Sequence, residues 1–170
     1  MINIESKDLQ KLYIAYFGRP GDPSGMNYWL SRSNESLTYR EISNELSRQE
    51  EYIKYISHDK SFDFKINKLY FNLFNRKADF EGLNYWLNMN DNHDYSIADI
   101  VFELVSSNKR PYSVEPLQEK KDNIILQNKI YAAEIFTQLI SQSITLINLY
   151  TPDSISPWIT GKSFIKISNF

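Results

Sequence analysis

Apolar and aromatic residues recur at helical spacing in two stretches that mirror each other. The first holds Leu9, Leu12, Tyr13, Tyr16 and Phe17, and the second Ile66, Leu69, Tyr70, Leu73 and Phe74. Each predicts an amphipathic helix with an aromatic inner face. Gly18 then supplies a helix stop and Asp22-Pro23 a start, because Asp caps exposed amide donors and Pro is tolerated at the first helical position. In the second stretch Asn75 stands in place of Gly18 and Asp79 in place of Asp22, so the same helix-loop-helix corner is expected twice.

The match extends to single residues. Lys11-Leu12-Tyr13, Arg19, Asp22, Gly25 and Asn27-Tyr28-Trp29-Leu30 return as Lys68-Leu69-Tyr70, Arg76, Asp79, Gly82 and Asn84-Tyr85-Trp86-Leu87, at a constant spacing of 57 residues. Gly25 and Gly82 fall where glycine costs a helix stability, which predicts close approach of another backbone or ring. The tyrosine-tryptophan pairs place rings able to bury about 150–250 Å² each at the centre of a short helix. Leu37, Ile42, Leu46, Tyr52 and Ile53 predict a third helix. Ile97, Ile100, Val101, Leu104 and Val105 match it after a shift of one residue, with Glu45-Leu46 aligned to Glu103-Leu104. The expected fold is all-α: two tandem three-helix repeats, copies about 9–57 and 66–112 of a domain spanning 1–116.

Pro111 and Pro116 bracket a polar joint, after which Leu126, Ile130, Ala133, Ile140, Ile144 and Ile147 recur on one face of a long helix predicted over 117–150. Ile135, Phe136, Leu139, Leu146 and Leu149 widen that face, which needs cover from both repeats or from another subunit. Leu126, Ile130, Ile140 and Ile144, with Trp158, are therefore the candidate partner-binding residues. Pro152, Pro157 and Gly161 punctuate a tail over 151–170, and the partial alternation from Lys162 to Ser168 predicts one extended strand, a docking segment or a tail folded onto its own domain.

Composition narrows the function classes. The 170 residues carry a formal net charge of -2 with both signs interspersed, so no basic stripe exists to hold nucleic acid. Cysteine is absent, which removes disulfides, thiolate metal sites and a Cys nucleophile while leaving the compartment open. Met1 to Leu9 has neither a basic start nor an apolar run, so no classical secretory signal is expected there. Gln127, Asn128, Lys129, Glu134, Gln138 and Gln142 interrupt the longest apolar region, so no membrane span is expected.

Two clusters carry candidate chemistry. Arg19 with Asp22, and Arg76 with Asp79, are placed to pair across their loops and fix the corner by charge-assisted hydrogen bonds. Alternatively these residues, with Tyr28, Trp29, Tyr85 and Trp86, bind a sugar, the rings facing its C–H groups and the polar groups its hydroxyls; the same rings also suit a core. Asn88, Asn90, Asn92 and Asp94, with Asp99 farther on, put oxygen side chains at alternating positions, as a calcium loop would, although His93 stands where such a loop turns on glycine. Calcium is thus the one cofactor the pattern suggests. His58 and His93 lie in separate polar stretches without a partner motif, and no nucleophile-elbow, phosphate-loop, dinucleotide or zinc-protease signature is present. Glu45 and Glu103 are aligned beside apolar residues, where a shared packing or capping role is simpler than catalysis. No enzymatic activity is expected.

The repeated Arg-x-x-Asp-x-x-Gly-x-Asn-Tyr-Trp, preceded by Leu-Tyr, resembles the DUF4214-type family of bacterial helical domains of unknown function. The likeness covers about residues 9 to 110 and departs from the pattern at Asn75 and Lys77. It implies an all-helical module of secreted and surface-layer proteins, some of which bind lipopolysaccharide. On this resemblance the chain is expected to be an extracellular or cell-surface attachment module for a glycan, envelope polysaccharide or lipopolysaccharide. A structural adaptor or oligomerisation subunit of a surface layer, appendage or virion is the alternative, and a carbohydrate-active enzyme a more distant one.

Overall fold

The computed structural model describes residues 4–35, 37–106 and 115–143. Within them the chain is all-α. Helix α1 (Ser6–Phe17), α2 (Pro23–Glu35) and α3 (Tyr39–Ser47) are followed by a short α4 (Glu50–Tyr52) that runs into one π-helical turn (Ile53–Ser57). Then come α5 (Phe62–Phe74), α6 (Phe80–His93), α7 (Ile97–Ser106) and the long α8 (Pro116–Ser141).

Helix α1 is the hub, packed against α2, α3, α5, α7 and α8. Eight of its twelve residues are buried, so its aromatic face is enclosed rather than merely covered on one side. Leu9, Leu12 and Tyr16 meet Ile66, Leu69 and Tyr70 of α5 in one continuous core that also takes in Ile42 and Leu46 of α3 and Ile100 and Leu104 of α7. Where α1 and α5 cross, Asn72 Nδ2 donates to the Ala15 carbonyl at 2.9 Å; these two residues stand at the same position of the sequence repeat. Both helices stop as expected, on a left-handed residue: Gly18 at φ 66° and Asn75 at φ 57°. Gly18 has a second reason to lack a side chain, since a Cβ there would lie 2.9 Å from Asn72 Oδ1.

Helices α3 and α7 pack on each other and begin alike. Thr38 and Glu41 exchange hydrogen bonds as a capping box, and Ser96 and Asp99 do the same. Thr38 N–H donation holds the Glu41 carboxyl below its ordinary range. Burial works against the charge on Asp99, but bonds from Ser96 and Arg40 outweigh it and lower its pKa. Arg40 reaches from α3 to Asp99 and Glu103 of α7. Ser43 Oγ joins Tyr16 Oη at 2.8 Å and donates to the Ala98 carbonyl at 3.2 Å, binding three helices.

Three expectations are corrected. The third helix of the first repeat breaks at Arg48 and Gln49, where Gln49 is extended; the break swings Tyr52 edge-on to Tyr16 at 5.2 Å and brings Glu51 round to the motif. Helix α8 ends at Ser141, as Ser141 Oγ turns back to the Gln138 carbonyl and Gln142 caps it, and residues 144–150 of the longer helix expected lie outside the described residues. Leu126 and Ile130 are buried in the common core and Ile140 is 5 % exposed, so the repeats themselves occupy the face expected to bind a partner. Ile144, Trp158 and the tail over 151–170 lie outside the described residues.

Buried titratable groups give the fold a pH signature. Lys129 lies against α5, donating to the Phe71 and Asn72 carbonyls, and burial, with Lys68 nearby, pushes its pKa down to about 8 from 10.5. The unfolded chain then holds more protons between those two values, so stability rises with pH across that window. Burial raises the pKa of Tyr13, Tyr16, Tyr39 and Tyr52 above 10, so their contribution falls away once the unfolded tyrosines ionise. Denaturant unfolding as a function of pH is expected to show stability rising by on the order of 1 kcal/mol from pH 8 towards 10 and then falling. Lys129→Met diminishes the rise, leaving the smaller part that burial of Lys68 supplies, and keeps the fall.

Candidate functional site

The two copies of the motif build the same corner. Asp22 Oδ1 accepts from Gly25 N–H and Asp79 Oδ1 from Gly82 N–H, each at 2.8 Å, so both aspartates are helix N-caps. Upstream, Gln10 Oε1 accepts from Gly21 N–H at 2.9 Å and Asn67 Oδ1 from Ala78 N–H at 3.1 Å, eleven residues along in both cases. Trp86 Nε1 donates to Tyr70 Oη at 2.9 Å, and Trp29 is bonded to Tyr13 in the corresponding place. Tyr28 stands edge-on to Trp29 and Tyr85 to Trp86, each pair with centroids 4.8 Å apart. Gly25 is required by Tyr13: a Cβ would sit 2.2 Å from the tyrosine hydroxyl, the close approach that its position in the helix predicts.

The arginines keep the expected aspartates as partners and each gains a second, closer carboxylate. Arg19 does face Asp22, at 3.8 Å, and Arg76 faces Asp79 at 3.3 Å. The short bidentate contacts, however, are Arg19 to Glu51 at 2.8 and 2.6 Å and Arg76 to Asp122 at 2.9 and 2.7 Å. Each carboxylate comes from the helix that follows the third one of its copy, α4 or α8. The guanidinium planes lie over Tyr13 and Phe17 in the first copy and over Tyr70 in the second. Hydrogen bonding to Asp122 raises the pKa of Arg76. Asp122 is fully buried and takes a further bond from Gln118 at 2.8 Å.

Around the first corner these residues enclose a cleft of about 570 Å³. Its walls are Arg19, Asp22, Ser24, Gly25, Tyr28 and Trp29 from the motif, Glu45 and Leu46 from the end of α3, Gln49 from the break that follows it, and Glu51 from α4. Trp29 is buried and forms part of the back of the cleft, whereas Tyr28 is 55 % exposed. Tyr13 completes the back wall; burial first, and the neighbouring Asp22 second, raise its pKa. In the second copy Tyr85 is half-buried, close to Tyr95 and Glu103, and Trp86 is fully buried.

Of the sugar-binding candidates, the structure thus brings Arg19, Asp22, Tyr28 and Trp29 to one cleft, joined by Glu45, Gln49 and Glu51. Glu51 was hidden from sequence reasoning because, in the alignment of Glu45 with Glu103, its repeat position holds Lys109, so repetition carried no signal for it. Arg76, Asp79 and Trp86 serve the second corner. The calcium candidates are not brought together. Helix α6 runs to His93, so Asn88, Asn90 and Asn92 lie on alternate positions of a helix, pointing in divergent directions, instead of in a loop, and Asn90 bonds the Tyr95 carbonyl. Asp94 is the left-handed C-cap of α6, and Asp99 is engaged in capping α7 and binding Arg40. Among the described residues no group of three His, Cys, Asp or Glu is placed to hold a metal ion, and no helix is long and apolar enough to cross a membrane.

Compared with protein-family models, curated proteins and solved structures, the chain matches none of them.

Two predictions test the corners. Gly25→Ala is expected to destabilise the protein by about 2 kcal/mol or more through the clash with Tyr13, and Tyr13→Phe to recover part of that loss; a thermal double-mutant cycle measures the coupling. Arg76→Leu leaves the Asp122 carboxylate buried without its guanidinium and is expected to cost about 3 kcal/mol in chemical denaturation, with Arg76→Leu/Asp122→Leu less destabilised than the single variant.

Proposed function

We propose that this chain is a non-enzymatic attachment module whose first-copy cleft holds a segment of uncharged envelope polysaccharide, at the cell surface or outside the cell. The observation that carries this reading is Tyr28, an exposed ring at the mouth of a cleft whose walls offer carboxylate, amide and hydroxyl groups. Sugars present apolar C–H faces and hydroxyl edges together, and that pairing of surfaces suits both. The lining holds three carboxylates against one cation, Arg19, whose guanidinium is bound by Glu51 and the Pro20 carbonyl. This balance favours a neutral saccharide over the phosphate groups of lipopolysaccharide. The carboxylates also have structural work: Asp22 caps α2, Glu51 neutralises Arg19, and Glu45 meets Arg48 at 3.4 Å. That supports binding over general acid-base catalysis, which needs a proton-transfer group free to face substrate. The likeness of the motif to surface-layer domains points the same way.

A structural adaptor is the second reading. It is favoured by Leu117 and Ile124, exposed seven residues apart on α8, and by Phe80, 81 % exposed at the start of α6. Sedimentation over a range of concentrations separates the two, with self-association expected for the adaptor and a monomer for the attachment module.

Binding of the purified protein to a panel of neutral and acidic bacterial polysaccharides and lipopolysaccharides tests the first reading directly. Saturable binding to a neutral polymer is expected, unaffected by calcium chelation. Tyr28→Ala is expected to weaken it by about tenfold or more with an unchanged unfolding temperature, because the ring is exposed. Silence across the panel, or full binding by Tyr28→Ala, overturns the reading.

A further inference from the structure

Helix α2 has a groove on each flank. At 100° per residue, Ser24, Gly25, Tyr28 and Trp29 fall on one side of the helix and Pro23, Met26, Asn27 and Leu30 on the other. The first set lines the cleft already described. The second set faces α8 across a separate groove of about 550 Å³, closed by Tyr131, Glu134, Ile135 and Gln138. This second groove has the same mixed chemistry as the first. Met26 and Leu30 provide an apolar floor, Asn27, Glu134 and Gln138 provide hydrogen-bonding groups, and Tyr131 is 69 % exposed at its edge.

The outward ridge of α2 between the grooves is low. Ser24, Asn27 and Ser31 occupy it, all exposed and all short. A chain passing from one groove to the other crosses only these residues, over a helix about 10–12 Å wide including its side chains. Both grooves carry more carboxylate than free cation: Asp22, Glu45 and Glu51 line one and Glu134 the other, with Arg19 held by Glu51.

We infer that the groove between α2 and α8 is a second saccharide subsite, and that one neutral polysaccharide chain straddles α2 with a sugar stacked near Tyr28 and another near Tyr131. The inference rests on the attachment reading given above and adds its length requirement. Two linked contacts on a single chain raise affinity through effective concentration, so binding strengthens once an oligosaccharide is long enough to reach both tyrosines.

Neutral bacterial envelope polysaccharide, partially hydrolysed and fractionated from dimer to decamer, is the probe, with affinity measured by titration calorimetry. The longest fractions are expected to bind about tenfold or more tightly than the dimer. Tyr131→Ala removes that gain, whereas Tyr28→Ala weakens every fraction. Ser31→Trp, which raises the ridge without entering either groove's lining, also removes the gain and keeps dimer binding. Affinity independent of length, or a gain that survives both Tyr131→Ala and Ser31→Trp, overturns the second subsite while the first cleft stands. Failure of every fraction and of the intact polymer to bind overturns the attachment reading and the subsite with it.

Discussion

A nearly dehydrated arginine that must be neutralised is the constraint on which this structure turns. Arg19 and Arg76 project from loops onto aromatic rings, their side chains only 7 % and 19 % exposed, where an unpaired guanidinium would be costly. Each is met by two carboxylate oxygens from a helix remote in sequence. Those contacts tie the corner to α4 in one copy and to α8 in the other, and so dictate where the chain goes after its third helix. The break at Arg48 and Gln49 follows from this demand: an uninterrupted helix through 53 would not bring Glu51 back to Arg19.

The same demand makes the two copies different sites. Glu51 approaches from a short, partly exposed turn, and the space beside it stays open as the cleft under Tyr28. Asp122 arrives on a long helix that packs against α5 and is fully buried. Identical motifs, with caps of equal length and ring pairs of equal spacing, therefore sit in unequal surroundings. The local chemistry of each corner is a property of the motif; access to it is a property of the element that closes it.

Much of the fold was legible from the chain alone. The stops of α1 and α5 and the starts of α2 and α6 follow from Gly18, Asn75, Asp22 and Asp79, because caps act over three or four residues and need nothing distant. The placement of the calcium candidates was not legible for a related reason. Alternating oxygen residues look alike in a loop and on a polar helix face, and Asp94, as a left-handed cap, leaves α6 helical through all of Asn88 to Asn92. Glu51, Asp122 and Gln49 could not be picked out, since their roles depend on helices 32 and 46 residues away from the arginines they serve or the cleft they line.

What the sequence by itself determined was the pair of aromatic-faced helices, their capped corners and the requirement that Gly25 be small, all set by short-range sterics and backbone hydrogen bonding. What only the tertiary structure decided was which carboxylate reaches each arginine, that the repeats bury Leu126 and Ile130, and that Tyr28 faces solvent while Tyr85 is half-covered. Those outcomes are long-range: charge neutralisation and apolar burial are indifferent to sequence distance, so only the packed chain reveals which groups satisfy them.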